Sequence, residues 1–225
     1  MINNILFDID DTLFPSSEFA ALARRNAVRA MIRVGFDAGE EELLRELHKI
    51  IEEKGSNYDI HFDLLLKRLD TRNPAKFIAA AVGAYHDTKA SIQPFPDVPT
   101  VLLELREVGY KIYVASNGIA VKQWDKLIRL GVSQYFDGVF VSEELKSGKS
   151  PEFYKKILKK IKAKGNGCVM IGDREDADIL PAKKAGMHAI RVLRGKYSKT
   201  QRTSRADAKI KDFRKLPPTV LKLSR

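Results

Sequence analysis

A parallel-sheet α/β domain, interrupted near its start by an all-helical insert, is the fold that this 225-residue sequence predicts. Two observations predict it. After Pro94 and Pro96, apolar runs of strand length alternate with amphipathic runs of helix length across short connections, the pattern of a parallel sheet covered on both faces. Between residues 16 and 93 no strand pattern occurs, and apolar residues follow helical spacing only.

The elements follow in order. Ile2 to Phe7 is a short apolar run ending in carboxylates, which reads as a buried parallel strand. Phe19, Leu22, Ala23, Ala27 and Met31 share a helix face. Asp37 with Glu40 three residues on resembles a capping box, followed by a stripe from Leu43 to Ile51 that Gly55 closes. Phe62, Leu65, Leu66 and Leu69 make a third helix, and Asn73-Pro74 opens a fourth that runs to about Lys89. Then come helix Val98 to Val108, strand Lys111 to Ala115, helix Val121 to Leu130 and strand Gly138 to Val141. Helix Pro151 to Lys164 precedes strand Cys168 to Ile171, and helix Ala177 to Ala185 precedes strand His188 to Val192. Residues 1–15 and 94–225 therefore form the expected α/β domain, and 16–93 the insert.

The net charge of +11 suggests nucleic acid until its location is read. Residues 191–225 hold twelve Lys/Arg against two Asp, whereas Met1 to Leu145 carry 17 basic against 22 acidic residues. The excess is local and reads as a solvated basic surface. No aromatic interleaving or nucleic-acid motif accompanies it, so a nucleic-acid partner is not expected. The longest apolar run, Ile78 to Tyr85, is too short for a bilayer, the start lacks a signal-peptide pattern, and Cys168 is the only cysteine. A cytoplasmic protein without a membrane partner is the expectation. Gly148-Lys149-Ser150 imitates the end of a P-loop, but Glu143 occupies the earlier glycine position.

Ligands of open parallel sheets bind beyond the carboxyl ends of the strands. Those ends here read Asp8-Ile9-Asp10-Asp11-Thr12, Ser116-Asn117-Gly118 and Gly172-Asp173, with Asp176 and Asp178 close behind. Any one of these aspartates read alone is as well explained as a helix cap, and Ser116-Asn117-Gly118 alone as a turn. Their joint occurrence at one sheet edge points to a site. Several carboxylates gathered there repel one another unless a cation joins them, and hard oxygen ligands of this kind suit Mg²⁺.

Taken together, these residues resemble the four motifs of the haloacid dehalogenase superfamily. Asp8-Ile9-Asp10-Asp11-Thr12 is similar to its DxDxT motif, Ser116 to the strand-end Ser/Thr, Lys149 to the third-motif lysine, and Gly172-Asp173 through Asp178 to GDxxxxD. Ser150 departs from the pattern, since relatives more often place proline directly after the lysine. The resemblance implies a Rossmann-like three-layer core with an inserted helical cap over 16–93. Details from Ser56-Asn57-Tyr58 to Gln123-Trp124-Asp125 are similar to archaeal glyceraldehyde 3-phosphate phosphatases.

The resemblance further implies an Mg²⁺-dependent hydrolysis of a small phosphomonoester. Asp8 would be the nucleophile and form an aspartyl-phosphate. Asp10 would act as acid and then base, a residue that halide-releasing relatives lack. Ser116, Asn117, Gly118, Thr12 and Lys149 would surround the phosphate. Asp8, Asp173 and the Asp10 carbonyl would hold the metal, with Asp178, or less favourably Asp176, orienting a water there. Phe14, Ser16, Asn57, Tyr58 and His61 are candidates for the organic part of the substrate, each of which also has an ordinary packing role. A phosphomutase or phosphonatase is the alternative on the same scaffold, and the subgroup resemblance carries the expectation of a homodimer.

Overall fold

The structure, a computed structural model, describes residues 1–56, 58–200 and 203–224. The chain forms two compact units, Met1–Ser17 with Gln93–Arg225, and Glu18–Ile92.

The helical unit is built from α1 (Ser16–Arg33), α2 (Glu40–Lys54), α3 (His61–Arg68) and α4 (Ala75–Ala90). Its core is the stripe read from the sequence: Ala27 and Met31 on α1, Leu43, Leu47 and Ile50 on α2, and Leu65 and Leu66 on α3 are all buried. The capping box at Asp37 does not form. Gly39 caps α2 without a side-chain bond, because Glu40 is drawn to α1, where Arg29 Nε donates to its carboxylate at 2.8 Å.

The second unit carries α5 (Val98–Glu107), α6 (Ala120–Arg129), α7 (Ser142–Leu145), α8 (Pro151–Lys160), α9 (Leu180–Lys184), α10 (Tyr197–Thr200) and α11 (Leu216–Leu223). Its sheet contains β1 (Asn4–Phe7), β2 (Lys111–Ser116), β3 (Gly138–Val141), β4 (Cys168–Gly172), β5 (His188–Val192) and β6 (Ala208–Ile210). All neighbours are parallel in the order β3-β2-β1-β4-β5-β6. Successive side chains of β1 point to opposite faces. Leu6 packs with Ala115, Met170 and the α8 residues Phe153, Tyr154 and Ile157, whereas the Phe7 ring lies 6.1 Å from Phe213 and 6.2 Å from Phe136. Both faces of β1 are buried, which explains its unbroken apolar run.

The strand order also positions the site. From β1 the chain moves outward through β2 to β3, then returns across β1 to start β4. A switch point therefore lies between β1 and β4, and a crevice opens beyond the carboxyl ends of such strands. Phe7 pairs with Ile171, so Asp8 and Asp173 emerge side by side there.

Three expectations are corrected. Helix α8 stops at Lys160 rather than Lys164, because Lys162 adopts a left-handed φ of 53° and a 3₁₀ turn over Gly165–Gly167 follows. The helix expected from Ala177 begins instead as a π turn at Glu175–Ile179, a form that gathers at functional sites. Finally, the basic C-terminal segment is not merely solvated surface. Its Lys209, Lys211, Arg214, Lys215 and Lys222 are exposed, but the apolar residues between them, Ile210, Phe213, Leu216 and Val220, are buried as part of the core. Among the described residues, no helix is long and apolar enough to cross a membrane.

Candidate active site

Asp8 leaves the end of β1 with its amide donating to Ile171 O at 2.9 Å, so the main-chain ladder fixes its carboxylate at the switch point. Beside it stands Lys149, whose ammonium donates to Asp8 Oδ1 and, at 2.5 Å, to Asp178 Oδ1. Only 3% of the Lys149 side chain is exposed. Three further contacts hold Lys149 in place. Its amide donates to Asn117 Oδ1 at 2.9 Å, and Ser150 caps α8 by accepting from Phe153 N at 3.3 Å. Pro151 then fills the first helical turn, where no amide is needed. The departure at Ser150 thus acquires a physical account: it is the cap of α8, a position worth about 1 kcal/mol.

Asp173 follows β4, and its Oδ1 is buried without a hydrogen-bond partner among the described residues. Asp178 comes back under the same strand from the π turn. Its Oδ2 accepts from Arg174 N at 3.0 Å, and it lies so close to Gly172 that a Cβ there would meet Asp178 Cγ at 2.4 Å. Glycine at 172 is therefore required by close approach. Asp176 points elsewhere: half exposed, it pairs with Arg174 at 2.5 Å.

Asp8, Asp173 and Asp178 bring carboxylate oxygens within 4.8 Å of one another, all buried. Three carboxylates face one ammonium, which leaves the pocket short of positive charge. Burial pushes Asp8 up to about 7, with Lys149 opposing and Asp178 adding to the rise. Burial, then Asp8 and Asp178, push Asp173 up to about 9. Burial disfavours the Lys149 ammonium, yet Asp178 and Asp8 outweigh it and hold that group above the ordinary lysine range. A pocket of protons held on carboxylates against their nature, with one unpaired oxygen, fits a divalent cation bound by hard oxygens.

Asp10 sits at the mouth, its side chain 41% exposed. Lys126, on α6, donates to both its oxygens, at 2.7 and 2.8 Å. Asp11 adopts φ 53°, a left-handed conformation that aspartate tolerates better than most residues, and accepts from Ser16 Oγ at 3.1 Å and from Ser17 N at 2.9 Å at the start of α1.

The remaining predicted residues divide. Ser116 is buried at the end of β2, one strand from Asp8. Asn117 spends its side-chain oxygen on Lys149. The Gly118 amide donates to Ser142 Oγ at 2.9 Å, so in this structure it serves the turn. Thr12 is fully buried and its hydroxyl has no partner among the described residues. Phe14 is buried, with its ring centroid 6.0 Å from Lys126 Nζ, and Ser16 bonds Asp11. Tyr58 and His61 lie in the helical unit, edge to face at 5.4 Å, and His61 Nε2 bonds Gly55 O at 2.9 Å. Asn57 lies outside the described residues.

Sequence reasoning missed two functional candidates. One is Lys126, which reads as a solvated lysine on an amphipathic helix. The other is Arg191 of β5, fully buried, whose Nε donates to Asp173 O at 2.9 Å and Nη2 to Tyr197 O at 2.9 Å. A cation inside an otherwise apolar strand was the available signal, since a buried charge needs fixed partners.

Residues 2–186 match the model of haloacid dehalogenase-like hydrolases. The chain is 48% identical over 217 residues to a glyceraldehyde 3-phosphate phosphatase of Methanopyrus kandleri, covering 95% of this chain and 92% of that protein. It is 43% identical to the glyceraldehyde 3-phosphate phosphatase of Methanocaldococcus jannaschii over the full length of both. Among solved structures, it is similar in fold to a phosphatase of Thermococcus onnurineus (TM-score 0.68, 24% identity, covering 97% and 98% of the two chains). A haloacid dehalogenase-like hydrolase of Xanthomonas campestris is similar too (TM-score 0.73, 21% identity, 99% and 92%).

Proposed function

Because the chain belongs to the haloacid dehalogenase-like hydrolase family, we propose that it is a phosphatase that hydrolyses glyceraldehyde 3-phosphate or a similar small sugar phosphate through an aspartyl-phosphate on Asp8. The chain is a phosphoric monoester hydrolase. The observation that carries the proposed chemistry is the buried cluster at the switch point, in which Asp8 is held between Lys149 and two further carboxylates.

Asp8 attacks phosphorus in line and the ester oxygen leaves. Lys149 remains an ammonium because Asp178 and Asp8 hold it so, and it neutralises charge on the phosphate oxygens as Asp8 approaches. Ser116 Oγ, at the neighbouring strand end, donates to the same oxygens. Asp10, at the exposed mouth, delivers a proton to the departing alkoxide and then takes one from the water that hydrolyses the acyl phosphate, so each half-reaction regenerates the form needed by the other. Mg²⁺ is the proposed cation, held by Asp8, Asp173 and the Asp10 carbonyl, with Asp178 in support. When bound it offsets carboxylate repulsion and polarises the phosphate. Arg191 keeps the Asp173 backbone in place from behind the strand. The Glu18–Ile92 unit is read as the cap, where residues choosing among sugar phosphates are to be sought.

Phosphate release across triose phosphates, hexose phosphates and nucleotides, with Mg²⁺ titrated, tests this reading. Fast release from triose or other small sugar phosphates that EDTA abolishes and Mg²⁺ restores is the expected result. Release unaffected by EDTA, or none from any ester, would overturn it.

A further inference from the structure

Asp10 and Lys126 lie 116 residues apart in sequence, yet the Lys126 ammonium spans both oxygens of the Asp10 carboxylate, at 2.7 and 2.8 Å. An ammonium has three donors, and the third reaches Gln123 Oε1 at 3.2 Å, so the group is bonded in three directions. Gln123 precedes Lys126 by three residues on α6 and shares its face. It is itself buried, and its Nε2 donates to Asn117 O at 3.0 Å. Gly118 gives it room, since a Cβ there would meet Gln123 Nε2 at 2.6 Å. A continuous path thus runs from the turn after β2, through Gln123 and Lys126, to the Asp10 carboxylate. Among the described residues, Lys126 is the only side chain hydrogen-bonded to that carboxylate.

The contrast with the surroundings gives this path meaning. Asp10 stands 41% exposed on a turn, where an untethered carboxylate samples several rotamers. A proton donor to a departing oxygen has to be within hydrogen-bond reach at the moment of bond breaking, and a misplaced one forfeits much of its effect. Nothing in the four family-type motifs supplies such a restraint. Lys126 does, and its 20% exposure leaves it at the edge of the crevice rather than in the buried cluster around Lys149.

We propose that Lys126 is the positioning residue for Asp10: anchored by Gln123, it aims the Asp10 carboxylate at the leaving-group oxygen. The proposal rests on the reading of Asp10 as the proton donor. It assigns Lys126 an effect confined to esters whose leaving group needs that proton.

The test compares kcat/KM for 4-nitrophenyl phosphate, whose leaving group departs without help, with kcat/KM for the alkyl phosphate turned over fastest. This parameter covers the steps up to departure of the leaving group. Wild type, Lys126→Met, Lys126→Arg, Asp10→Asn and the Lys126→Met/Asp10→Asn pair are measured with Mg²⁺ saturating. Lys126→Met should lower the alkyl-to-aryl ratio by about tenfold, a part of the roughly 10²–10⁴-fold that general acid catalysis supplies. Lys126→Arg should restore most of it, and Lys126→Met should cost nothing further on top of Asp10→Asn. Equal losses on both esters would make Lys126 a phosphate contact and overturn the proposal. So would an undiminished loss in the Asp10→Asn background, which would mark a structural role for α6. If Asp10→Asn lowers the ratio and Lys126→Met does not, the Lys126 proposal alone fails. If Asp10→Asn leaves the ratio unchanged, the reading of Asp10 fails and the proposal falls with it.

Discussion

Two lysine–carboxylate groups stand on either side of Ile9, and their surroundings differ. Lys149 is buried and shared between Asp8 and Asp178, with Asp173 adding a third carboxylate. Lys126 is partly exposed and pairs with a single carboxylate, that of Asp10. The first group is buried and short of positive charge, so Asp8 and Asp173 hold protons well above the ordinary carboxylate range and a divalent cation has a place. The second pairs one ammonium with one carboxylate and is partly open to solvent. Residue type alone does not separate nucleophile from acid. Under the proposed reading, burial and the count of charges around each carboxylate do.

Breaking the buried group should have the largest effect. Asp8→Asn removes the proposed nucleophile and should lower turnover of every ester by at least about a thousandfold, aryl and alkyl alike, in a phosphate-release assay. That uniform loss is the opposite of the leaving-group-dependent loss expected at Asp10. An intermediate effect is expected at Gly172. A methyl there would lie 2.4 Å from Asp178 Cγ and Oδ2, so Gly172→Ala must push Asp178 out of the cluster. The Mg²⁺ concentration for half-maximal activity should rise by about tenfold or more, while overpacking costs about 1–3 kcal/mol of stability, read by denaturant unfolding.

The smallest effect is one of pH. In the metal-free fold Asp8 and Asp173 are raised from 3.8 to about 7 and about 9. The folded chain therefore binds more protons than the unfolded chain between about pH 4 and 9, and these groups lose stability as pH rises through that window. Mg²⁺ held by Asp8 and Asp173 would compete with those protons and favour the ionised pocket. The gain in Tm on adding Mg²⁺ should be larger at pH 8 than at pH 5. An equal gain at both would remove the charge-deficit account of the cluster.

The legible parts of the molecule were those where one physical demand dominates. Fully buried strands such as β1 and β4 show unbroken apolar runs, and carboxylates at their ends stand out because water-seeking residues adjoin the core. Asp8 and Asp173 were readable in this way, whereas Lys149, on the loop before α8, was picked out only by the family resemblance. The same logic misled at the C-terminus, where β6 spans only three residues and α11 carries Pro217 and Pro218 in its first turn, so exposed lysines and arginines masked Ile210, Phe213, Leu216 and Val220. The capping box at Asp37 failed because Glu40 found a stronger partner, Arg29, across a helix boundary. Lys126 and Arg191 were illegible for a related reason. Each is a cation paired outside its own element, Lys126 with Asp10 and Arg191 with the Asp173 carbonyl; a charge inside β5 signals that Arg191 needs a partner, but no local pattern says which.

The proposed covalent step would distinguish Asp8 from every other carboxylate here, and it can be tested directly. Protein mixed with excess phosphoester and Mg²⁺, quenched in acid within the first turnovers and digested, is examined by mass spectrometry for a phosphoryl group on the peptide from Met1 to Arg24. A phosphoryl adduct on Asp8, absent from Asp8→Asn and discharged on longer incubation, is the predicted result. Steady release of phosphate by Asp8→Asn, or an adduct on another residue, would contradict the account.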